Sequence, residues 1–406
     1  MKQIYLDHHA TTPLDKEVLD AMIPTFMQDF GNPSSNTHEY GHRARYLVDN
    51  ARKQVAQLIG AKNPDDIIFT SGATESNNLS IKGCAQAKMT QSHKNIVTIA
   101  IEHKAVLDPL KRLRKEGVNT RFAKLDSYGV VDLDDLASKI DKNTILISIQ
   151  AANSEIGTLQ PIRDIGIIAR EHGVPFHTDA VQALGKIEID VERDFIDLLS
   201  ISAHKMYGPK GIGALYVRRG IKLVPLLEGG GHERGMRSGT LNVPGIVGLG
   251  KAAEIARRDR ESFVAFLLSL RRKLADGISR IDDVILNGHP VRRLPNNLNY
   301  AFSYVEGESL ILACRGVALS SGSACTSTSL QSSYVLKALN IPDFLAHCSI
   351  RFGLGKSNTE EQIDVVLDML EKGVKKLRSM SPLYDMAKEG IDVEHVKWSN
   401  EHKRVR

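Results

Sequence analysis

Cysteine is scarce in this sequence and its cysteines are not grouped, because the 406 residues contain only Cys84, Cys314, Cys325 and Cys348. No two of them have the C-x-x-C spacing of a structural zinc site, and a chain of this length does not need the disulfide framework of a small secreted domain. We therefore expect free thiols, a reducing compartment and no structural metal.

Long apolar runs are also missing. No such run approaches the roughly 18 residues that cross a membrane, and residues 1–7 reach charged side chains at once, unlike a signal peptide. The sequence as given predicts a cytoplasmic protein without membrane attachment, or an organelle-matrix protein if a presequence has been removed.

An excess of charge of one sign is absent as well. The 53 basic and 48 acidic residues leave a net charge of +5, and only residues 401–406 form a basic tail. Because nucleic-acid binding needs concentrated positive charge, we expect no direct nucleic-acid ligand. A composition of 42% hydrophobic and 25% charged residues over this length indicates a globular protein of two domains.

The apolar pattern predicts an α/β fold. Short apolar runs alternate with segments of helical period, and these runs occupy residues 66–70, 95–101, 144–151, 174–178, 195–201 and 211–217. Such alternation is typical of a mostly parallel sheet that helices cover on both faces. After residue 258 a long amphipathic helix at 260–278, short strands near 296–302 and 318, and helices after 360 indicate a smaller α+β domain.

Polar clusters follow the apolar runs where each strand is predicted to end. They occupy residues 71–74, 102–103, 153–155, 179–182 and 202–205. In open α/β sheets ligands bind at the carboxyl edge of the strands, so these five clusters predict one site.

Lys205 and Asp179 each end a predicted strand. A desolvated lysine amine forms a Schiff base with an aldehyde cofactor, and a carboxylate pairs with the protonated ring nitrogen of pyridoxal phosphate. Gln182 has the reach to bond a ring substituent. The alternatives are a solvated loop lysine for Lys205 and a helix N-cap for Asp179.

Three other positions are candidates for the same site. The turn at 71–75 lies before a predicted helix, where backbone N–H groups and the Thr74 hydroxyl suit a phosphate. His103 suits stacking on a ring and proton transfer, and Arg351 suits a carboxylate. Taken singly, each has an ordinary alternative: a βα connection, a structural histidine and a surface ion pair.

Two glycine motifs are rejected. Residues 355–357 resemble the end of a P-loop, but Ile350 stands where the opening glycine is required. Residues 229–231 lack the G-x-G-x-x-G spacing of a dinucleotide site, so NAD is not supported.

The segment 320–329 contains no charge, no aromatic ring and no large apolar side chain, and Cys325 lies in its middle. A stretch this rich in serine and glycine is too polar for a core and predicts an accessible thiol. The alternative is a surface loop that carries a cysteine by accident.

Several motifs together resemble the cysteine desulfurases of the IscS/NifS type. They are DHHATTP at 7–13, GNPSS at 31–35, SGATESNN at 71–78, HK at 204–205, GGGHERGMRSGT at 229–240, SSGSACTSTSL at 320–330, SPLYDM at 381–386 and VKW at 396–398. The resemblance covers nearly the whole chain. It implies a fold-type-I pyridoxal-phosphate enzyme, a homodimer with a large cofactor domain at 15–260 and a small domain made of 1–14 and 261–406.

The resemblance also assigns roles to residues. Lys205 would carry the cofactor, Asp179 would bind its ring nitrogen, Gln182 its ring oxygen and His103 its ring face. The phosphate would be bound by Ala73, Thr74, Ser202, His204 and, from the other subunit, Thr240. One departure is Ser154 after Asn153, where the family has two asparagines, so a contact to the ring oxygen is expected to be lost or replaced by water.

The implied reaction converts L-cysteine to L-alanine. Arg351 would hold the substrate carboxylate, Lys205 would move the α proton, and Cys325 would take the sulfur as a persulfide.

The expected acceptors are an iron-sulfur scaffold protein and other sulfur carriers, including those of tRNA thiolation. No resident metal is expected, although Cys325 could contact a cluster in a complex. The alternatives are a related selenocysteine lyase or aminotransferase, which would not depend on Cys325, and a catalytically inert sulfur-carrier scaffold.

Overall fold

The computed structural model describes residues 3–88, 93–321 and 332–390. The strands within these ranges are, in chain order, β1 Ile4–Tyr5, β2 Ile67–Thr70, β3 Asn95–Ile99, β4 Asn119–Ala123, β5 Thr144–Ser148, β6 Phe176–Asp179, β7 Leu198–Ser202, β8 Gly213–Val217, β9 Val284–Leu286, β10 Asn297–Phe302, β11 Val317–Ala318, β12 Ser320–Ser321 and β13 Ser349–Gly353.

Helices connect most of these strands. The α-helices in the same ranges are α1 Lys16–Met22, α2 Pro24–Met27, α3 Glu39–Leu58, α4 Ala73–Ala87, α5 Lys104–Lys115, α6 Leu133–Ser138, α7 Ile162–Glu171, α8 Val243–Arg258, α9 Arg260–Ile278, α10 Gly307–Ala313, α11 Tyr334–Ala338, α12 Asp343–His347, α13 Glu360–Arg378 and α14 Pro382–Lys388. Short 3₁₀ helices occupy Pro64–Asp66, Ala203–Lys205 and Glu233–Gly235. None of the helices in these ranges is long and apolar enough to cross a membrane.

The main sheet has seven strands in the order β2-β8-β7-β6-β5-β3-β4. Only β8 runs antiparallel to its neighbours, and all other pairs are parallel. The connection from β7 to β8 is about ten residues long, which is too short for a parallel crossover. The prediction of a mostly parallel α/β sheet is confirmed.

Two predicted strands begin later than expected. The run at 174–178 enters the sheet only at Phe176, because Pro175 has no backbone N–H to donate. The run at 195–201 enters at Leu198, because Phe195 has a φ of 54°, which no strand residue adopts.

Helices cover both faces of the main sheet because neighbouring strand residues point to opposite sides. Leu198 packs in the same cluster as Leu110 of α5, whereas Leu199 packs in the same cluster as Val48 of α3 and Leu249 of α8. The sheet therefore lies between two apolar layers, as its uninterrupted apolar runs predict.

A second apolar core combines the beginning of the chain with its later part. Leu6 packs there with strands β10 and β13 and with helices α9 and α13. Leu267, Leu270, Leu274 and Ile278 of α9 are fully buried at helical spacing. Burying each such side chain stabilises the fold by about 1.5–3 kcal/mol.

Not every late segment joins this second core. Val335, Leu336, Leu339 and Ala346 pack into the cluster under the main sheet. The segment around α11 and α12 therefore bridges the two cores, and the domain division at residue 260 stays a prediction.

Candidate active site

The carboxyl ends of β2, β3, β5, β6 and β7 all lie at one edge of the main sheet. This follows from the topology, since β2 and β7 both run antiparallel to the β8 strand between them. The five polar clusters that the sequence places after these strands therefore line a single edge. The convergence that the sequence predicts is present in the fold.

Lys205 ends the 3₁₀ helix that follows β7 and is half-buried. Its Nζ donates to the carbonyl of Ala10 at 2.7 Å and also to the carbonyl of His9. The N-terminal segment thus holds the amine at the sheet edge.

A second lysine lies beside it. Lys186 is 6% exposed, and its Nζ donates to the carbonyl of Gln182 at 3.1 Å and to that of Lys205 at 3.3 Å. Burial, and then the charge of Lys205, lower the pKa of Lys186 to about 7. Lys186 therefore braces the backbone at Lys205 and at Gln182.

Asp179 is the last residue of β6 and no helix begins there, so it is not the N-cap of the alternative interpretation. Its Oδ2 accepts a hydrogen bond from Nδ2 of Asn77 at 2.7 Å, and its Oδ1 accepts from the backbone N–H of Val181 at 3.0 Å. Both oxygens are thereby held in place on the floor of the site.

Gln182 is joined to His9 by both ends of its amide. Its Oε1 lies 2.9 Å from Nδ1 of His9, and its Nε2 donates to the carbonyl of His9 at 3.0 Å. The Nε2 of His9 lies 3.2 Å from Nδ2 of Asn297. Since the amide oxygen accepts, His9 carries its proton on Nδ1, and burial keeps its pKa well below the usual value.

The turn before α4 leaves the start of that helix open. Gly72 has a φ of 152°, and a Cβ on Gly213 of β8 would lie 2.7 Å from the Gly72 Cα, so both positions require glycine. The helix has no side-chain cap, and Ala73 and the exposed Thr74 are its first residues. Such a helix start attracts an anion. The Glu75 carboxylate does not take the place of this anion, because it accepts a hydrogen bond from the Ser71 N–H at 2.7 Å.

The two predicted site histidines differ in their surroundings. His103 is exposed and caps α5, because its Nδ1 accepts from the backbone N–H of Ala105 at 3.1 Å. A ring that accepts at Nδ1 holds its proton at Nε2 and is free to share it with a ligand. His204 lies 3.0 Å from the Thr11 hydroxyl, and burial, followed by the charges of Lys205 and Lys210, lowers its pKa to about 4.

Arg351 lies on β13 and is 8% exposed. Its guanidinium donates to Oδ1 of Asp7 at 2.8 Å, to the carbonyl of Ser154 at 3.1 Å and to the hydroxyl of Ser320 at 3.2 Å. Its buried Nε has no partner among the described residues. The surface ion pair of the alternative interpretation is thus wrong, since this arginine is buried and keeps an open donor.

Asn153 has a structural use in the fold. Its Oδ1 accepts from the backbone N–H groups of Glu155 and Ile156 at 2.8 and 3.0 Å, and its Nδ2 donates to the carbonyl of Ile101 at 3.0 Å. Asn153 therefore holds the turn that presents Ser154 to Arg351.

The remaining predicted residues are placed as follows. Ser202 is buried at the end of β7, next to the 3₁₀ helix of Lys205. Thr240 is exposed, and the nearby Arg237 donates to Glu75 of α4 at 3.0 Å. Cys325 lies outside the described residues.

Several residues of the site were missed at the sequence level: Asp7, His9, Asn77, Lys186 and Glu155. Asp7 and His9 stand inside the DHHATTP motif, and Asn77 lies three residues after Thr74, on a neighbouring position of the same helix. The motif and the helical spacing were therefore the sequence features from which Asp7, His9 and Asn77 could have been predicted. No sequence feature marks Lys186, because its burial depends on the packing around it.

Glu155 is a buried acid near Arg351, and burial raises its pKa from 4.5 to about 7, against the opposing effects of Ser333 and Arg351. The folded protein then keeps a proton that the unfolded chain loses between about pH 4.5 and 7, so this group's contribution to stability falls as pH rises through that window. We expect the unfolding free energy of wild type to fall by about 1–3 kcal/mol more than that of Glu155→Gln between pH 5 and 8.

Denaturant unfolding at several pH values measures this difference. The matched control is Glu371→Gln at an exposed position of α13, whose stability should follow that of wild type. If the Glu155→Gln and wild-type curves run parallel, Glu155 does not hold a proton at neutral pH.

Together these groups fit pyridoxal phosphate. The open start of α4 matches its phosphate, the held carboxylate of Asp179 matches its ring nitrogen, and the amine of Lys205 matches its aldehyde. The Oδ1 of Asn77, which is buried beside Asp179, has no partner among the described residues. This oxygen can therefore accept a hydrogen bond from a bound group.

Comparison with known proteins agrees with this geometry. Residues 4–366 match the family described as aminotransferase class-V. The chain is 52% identical over 402 residues to a protein named cysteine desulfurase IscS from Anaeromyxobacter sp. (strain Fw109-5), covering 98% of this chain and 99% of that protein. It is 51% identical to the mitochondrial cysteine desulfurase of Saccharomyces cerevisiae, covering 98% of this chain and 80% of that protein.

A solved structure described as a NifS-like protein has a TM-score of 0.86 and 38% identity, covering 92% of this chain and all of that chain. The fold and the site thus define a fold-type-I pyridoxal-phosphate enzyme of the class-V aminotransferase family. Within that family the chain belongs to the cysteine desulfurases of the IscS/NifS type. The predicted family, fold and cofactor are confirmed.

Proposed function

We propose that this protein converts L-cysteine to L-alanine and transfers the sulfur to Cys325 as a persulfide. The observation that carries this proposal is the identity of about half of all residues, over nearly the full chain, to proteins named cysteine desulfurase. It is supported by a sheet edge that unites Lys205, Asp179 and an open helix start.

Pyridoxal phosphate, when bound, supplies an electron sink for charge that develops at the substrate α carbon. Ala73, Thr74, Ser202 and His204 hold its phosphate, and neutral His204 does so as a hydrogen-bond donor. Asp179 pairs with its ring nitrogen, and Asn77 keeps that carboxylate oriented through the 2.7 Å hydrogen bond.

The ring oxygen and the ring face have their own partners in this proposal. Gln182 would donate to the ring oxygen, and Asn153 and Ser154 form the turn beside it, where the shorter Ser154 side chain leaves the contact of an amide lost or replaced by water. His103 stacks on the ring face. His9 then orients Gln182, since it already bonds both ends of that amide.

The substrate carboxylate binds at Arg351, whose buried Nε is still an open donor among the described contacts. Lys205 receives and returns the proton of the α carbon at its Nζ, which the carbonyls of His9 and Ala10 orient. A proton carrier must lie within hydrogen-bond reach of the atom it serves, and the position after β7 provides that rigid placement.

Sulfur transfer requires a nucleophile that attacks sulfur. The Cys325 thiolate forms a bond to the substrate sulfur while the substrate C–S bond breaks and its electron pair stays with carbon. That carbon then takes a proton, so cysteine and the Cys325 thiol become alanine and a persulfide without an external oxidant. The persulfide next passes to an iron-sulfur scaffold protein or another sulfur acceptor, such as a carrier for tRNA thiolation.

The enzyme is a homodimer in this proposal, and Thr240 of each subunit reaches the cofactor phosphate of the other. Exposed apolar side chains on the N-terminal helices and their connection support a self-association surface, since Phe26, Met27, Phe30 and Tyr46 are 60%, 77%, 62% and 70% exposed. Light scattering should give twice the chain mass of 44.7 kDa. A mass of one chain would contradict the dimer.

In this proposal the chain forms a large domain of residues 15–260 and a small domain of residues 1–14 and 261–406, to which Arg351 and Cys325 belong. We place the enzyme in the cytoplasm or in an organelle matrix. This is supported by relatives named from both bacteria and mitochondria. Fractionation of the native cells with an antibody to the chain tests the location.

Mass spectrometry of the holoenzyme after incubation with cysteine tests the reaction. We expect one added sulfur atom on Cys325 and an equal amount of alanine. Sulfur mapped to Cys84, Cys314 or Cys348 would contradict the assignment of the nucleophile, and alanine formation without any protein-bound sulfur would contradict the persulfide.

Asp7 should affect substrate binding, because its carboxylate lies 2.8 Å from Nη2 of Arg351 and both groups are largely buried. Asp7→Asn removes the charge that orients the guanidinium. We expect the KM for cysteine to rise about tenfold while kcat changes less than twofold, which corresponds to a loss of roughly 1.4 kcal/mol of binding. Steady-state alanine formation measures both constants.

The control is Asp20→Asn, which removes an acid from an exposed ion pair with Lys16 and should leave both constants unchanged. If Asp7→Asn lowers the KM instead, Asp7 competes with the substrate for Arg351 rather than orienting it.

A further inference from the structure

An open cavity of about 220 Å³ lies at the surface beside the second core, between α9 and strands β9 and β10. It is separate from the edge of the main sheet that carries Lys205. The arginine cavity, as we name it, is lined in part by Arg271, Arg272 and Arg293. No step of the proposed reaction uses it.

Arg293 is the best-defined group of this cavity. It is 4% exposed, and its Nη2 donates to the carbonyl of Ile156 at 3.0 Å and to the carbonyl of Asn287. Its Nε and Nη1 are buried and have no hydrogen-bond partner among the described residues. Burial, and then the charge of Arg271, lower its pKa to about 10. Since these two nitrogens have no accessible surface, Arg293 acts on the cavity through its positive charge.

Among the described residues this cation has no acidic partner. None of the ion pairs within the described ranges involves Arg271, Arg272 or Arg293, although ion pairs form on both sides of them in the sequence. Of the described residues that line the cavity, Asp276 is the one acid, and it is exposed at the rim. The cavity therefore keeps an excess of positive charge.

The rest of the lining is mostly apolar, and we call it the apolar wall. It is formed by Leu268, Ala275, Leu286, Pro290, Leu298 and Tyr300. Leu298 and Tyr300 are 3% and 7% exposed and belong to the second core. An occupant that fits this lining carries both a negatively charged group and an apolar surface.

We propose that the arginine cavity binds a small organic oxyanion, whose phosphate or carboxylate group meets Arg271, Arg272 and Arg293 while its apolar part lies against Leu298 and Tyr300. This goes beyond the desulfurase function, and the binding does not depend on cysteine. Because Arg293 also bonds Ile156, the occupant lies behind the turn of residues 153–157.

Calorimetric titration of the holoenzyme with phenyl phosphate, inorganic phosphate and benzoate tests the proposal. The holoenzyme is used so that its cofactor fills the anion position at α4. We expect saturable binding of phenyl phosphate or benzoate, and phenyl phosphate should bind at least about threefold more tightly than inorganic phosphate because of the apolar wall. Binding of only one of the two aromatic probes would assign a phosphate or a carboxylate as the preferred group.

Three variants at exposed positions distinguish binding in this cavity from general attraction of anions to the positively charged surface. Arg272→Gln should weaken binding about fivefold and Asp276→Asn should strengthen it about twofold, because they remove opposite charges from the rim. Arg280→Gln, two residues beyond α9 and outside the cavity lining, removes the same charge as Arg272→Gln and should have no effect.

The proposal is overturned if none of the three probes binds, if inorganic phosphate binds at least as tightly as phenyl phosphate, or if Arg280→Gln weakens binding as much as Arg272→Gln. An unchanged affinity in Asp276→Asn would also contradict it. All of these experiments measure anion binding. A negative result would therefore not contradict the desulfurase function, and a lack of alanine formation would not contradict anion binding in this cavity.

Discussion

Replacing Cys325 with serine is expected to abolish persulfide formation while the enzyme keeps its bound, coloured cofactor. A thiol of pKa about 8.5 supplies some thiolate at neutral pH, whereas a serine hydroxyl stays protonated and is a poor nucleophile towards sulfur. We expect alanine formation from cysteine to fall at least ~10²-fold, since the sulfur then has no acceptor on the protein. Cysteine-dependent alanine release and mass spectrometry measure the two effects.

The matched control is Cys348→Ser. Cys348 is buried, and its burial raises the pKa of its thiol to about 11, so it stays a thiol at neutral pH. This variant should keep the persulfide on Cys325. Unchanged sulfur release in Cys325→Ser would instead favour a selenocysteine lyase or an aminotransferase, which do not depend on Cys325.

Replacing Lys205 with alanine is expected to remove both the covalent attachment of the cofactor and the group that moves the α proton. Proton transfer by a positioned side chain contributes about 10²–10⁴-fold to a rate, so alanine formation should fall by at least that factor. The cofactor absorbance should also be lost on gel filtration, because only non-covalent contacts to the phosphate and the ring remain. Absorbance spectra before and after filtration measure this retention.

Lys222→Ala is the control for Lys205→Ala. Lys222 is exposed and touches no residue assigned to the cofactor, so its removal should change neither the spectrum nor the rate. If Lys205→Ala keeps a rate within tenfold of wild type, another amine carries the proton, and the buried Lys186 becomes the candidate. If wild type that has been incubated with pyridoxal phosphate and separated from the excess by gel filtration shows no visible absorbance, the inert sulfur-carrier scaffold becomes the better interpretation.

Helices and strands are the features of this fold that the spacing of apolar residues within one short segment can predict. The spacing of Leu267, Leu270, Leu274 and Ile278 predicts a helix over 260–278, and α9 has those bounds. The apolar runs likewise predict the strands of the main sheet, because a strand or a helix repeats its burial every two or 3.6 residues within one short segment. The ends of strands are less predictable, as Phe195 shows, because a positive φ leaves no mark in the apolar pattern.

The candidate site likewise contains residues that the sequence predicts and hydrogen bonds that it does not predict. Lys205, Asp179 and Thr74 were predictable because each follows an apolar run, and parallel strands carry their ends to one edge. The partner of each was not predictable. Asp179 is held by Asn77, and Arg351 is paired with Asp7 across most of the length of the chain.

The sequence by itself determined most of the elements, the family and the candidate site residues of this protein. Only the tertiary structure decided how those residues are held: the two bonds of Gln182 to His9, the pairing of β1 with β11, and the burial of Arg293 without an acidic partner among the described residues. The physical reason is that periodicity and motifs are properties of neighbouring residues. A hydrogen bond or an unpaired charge depends on which distant segments the folded chain brings together.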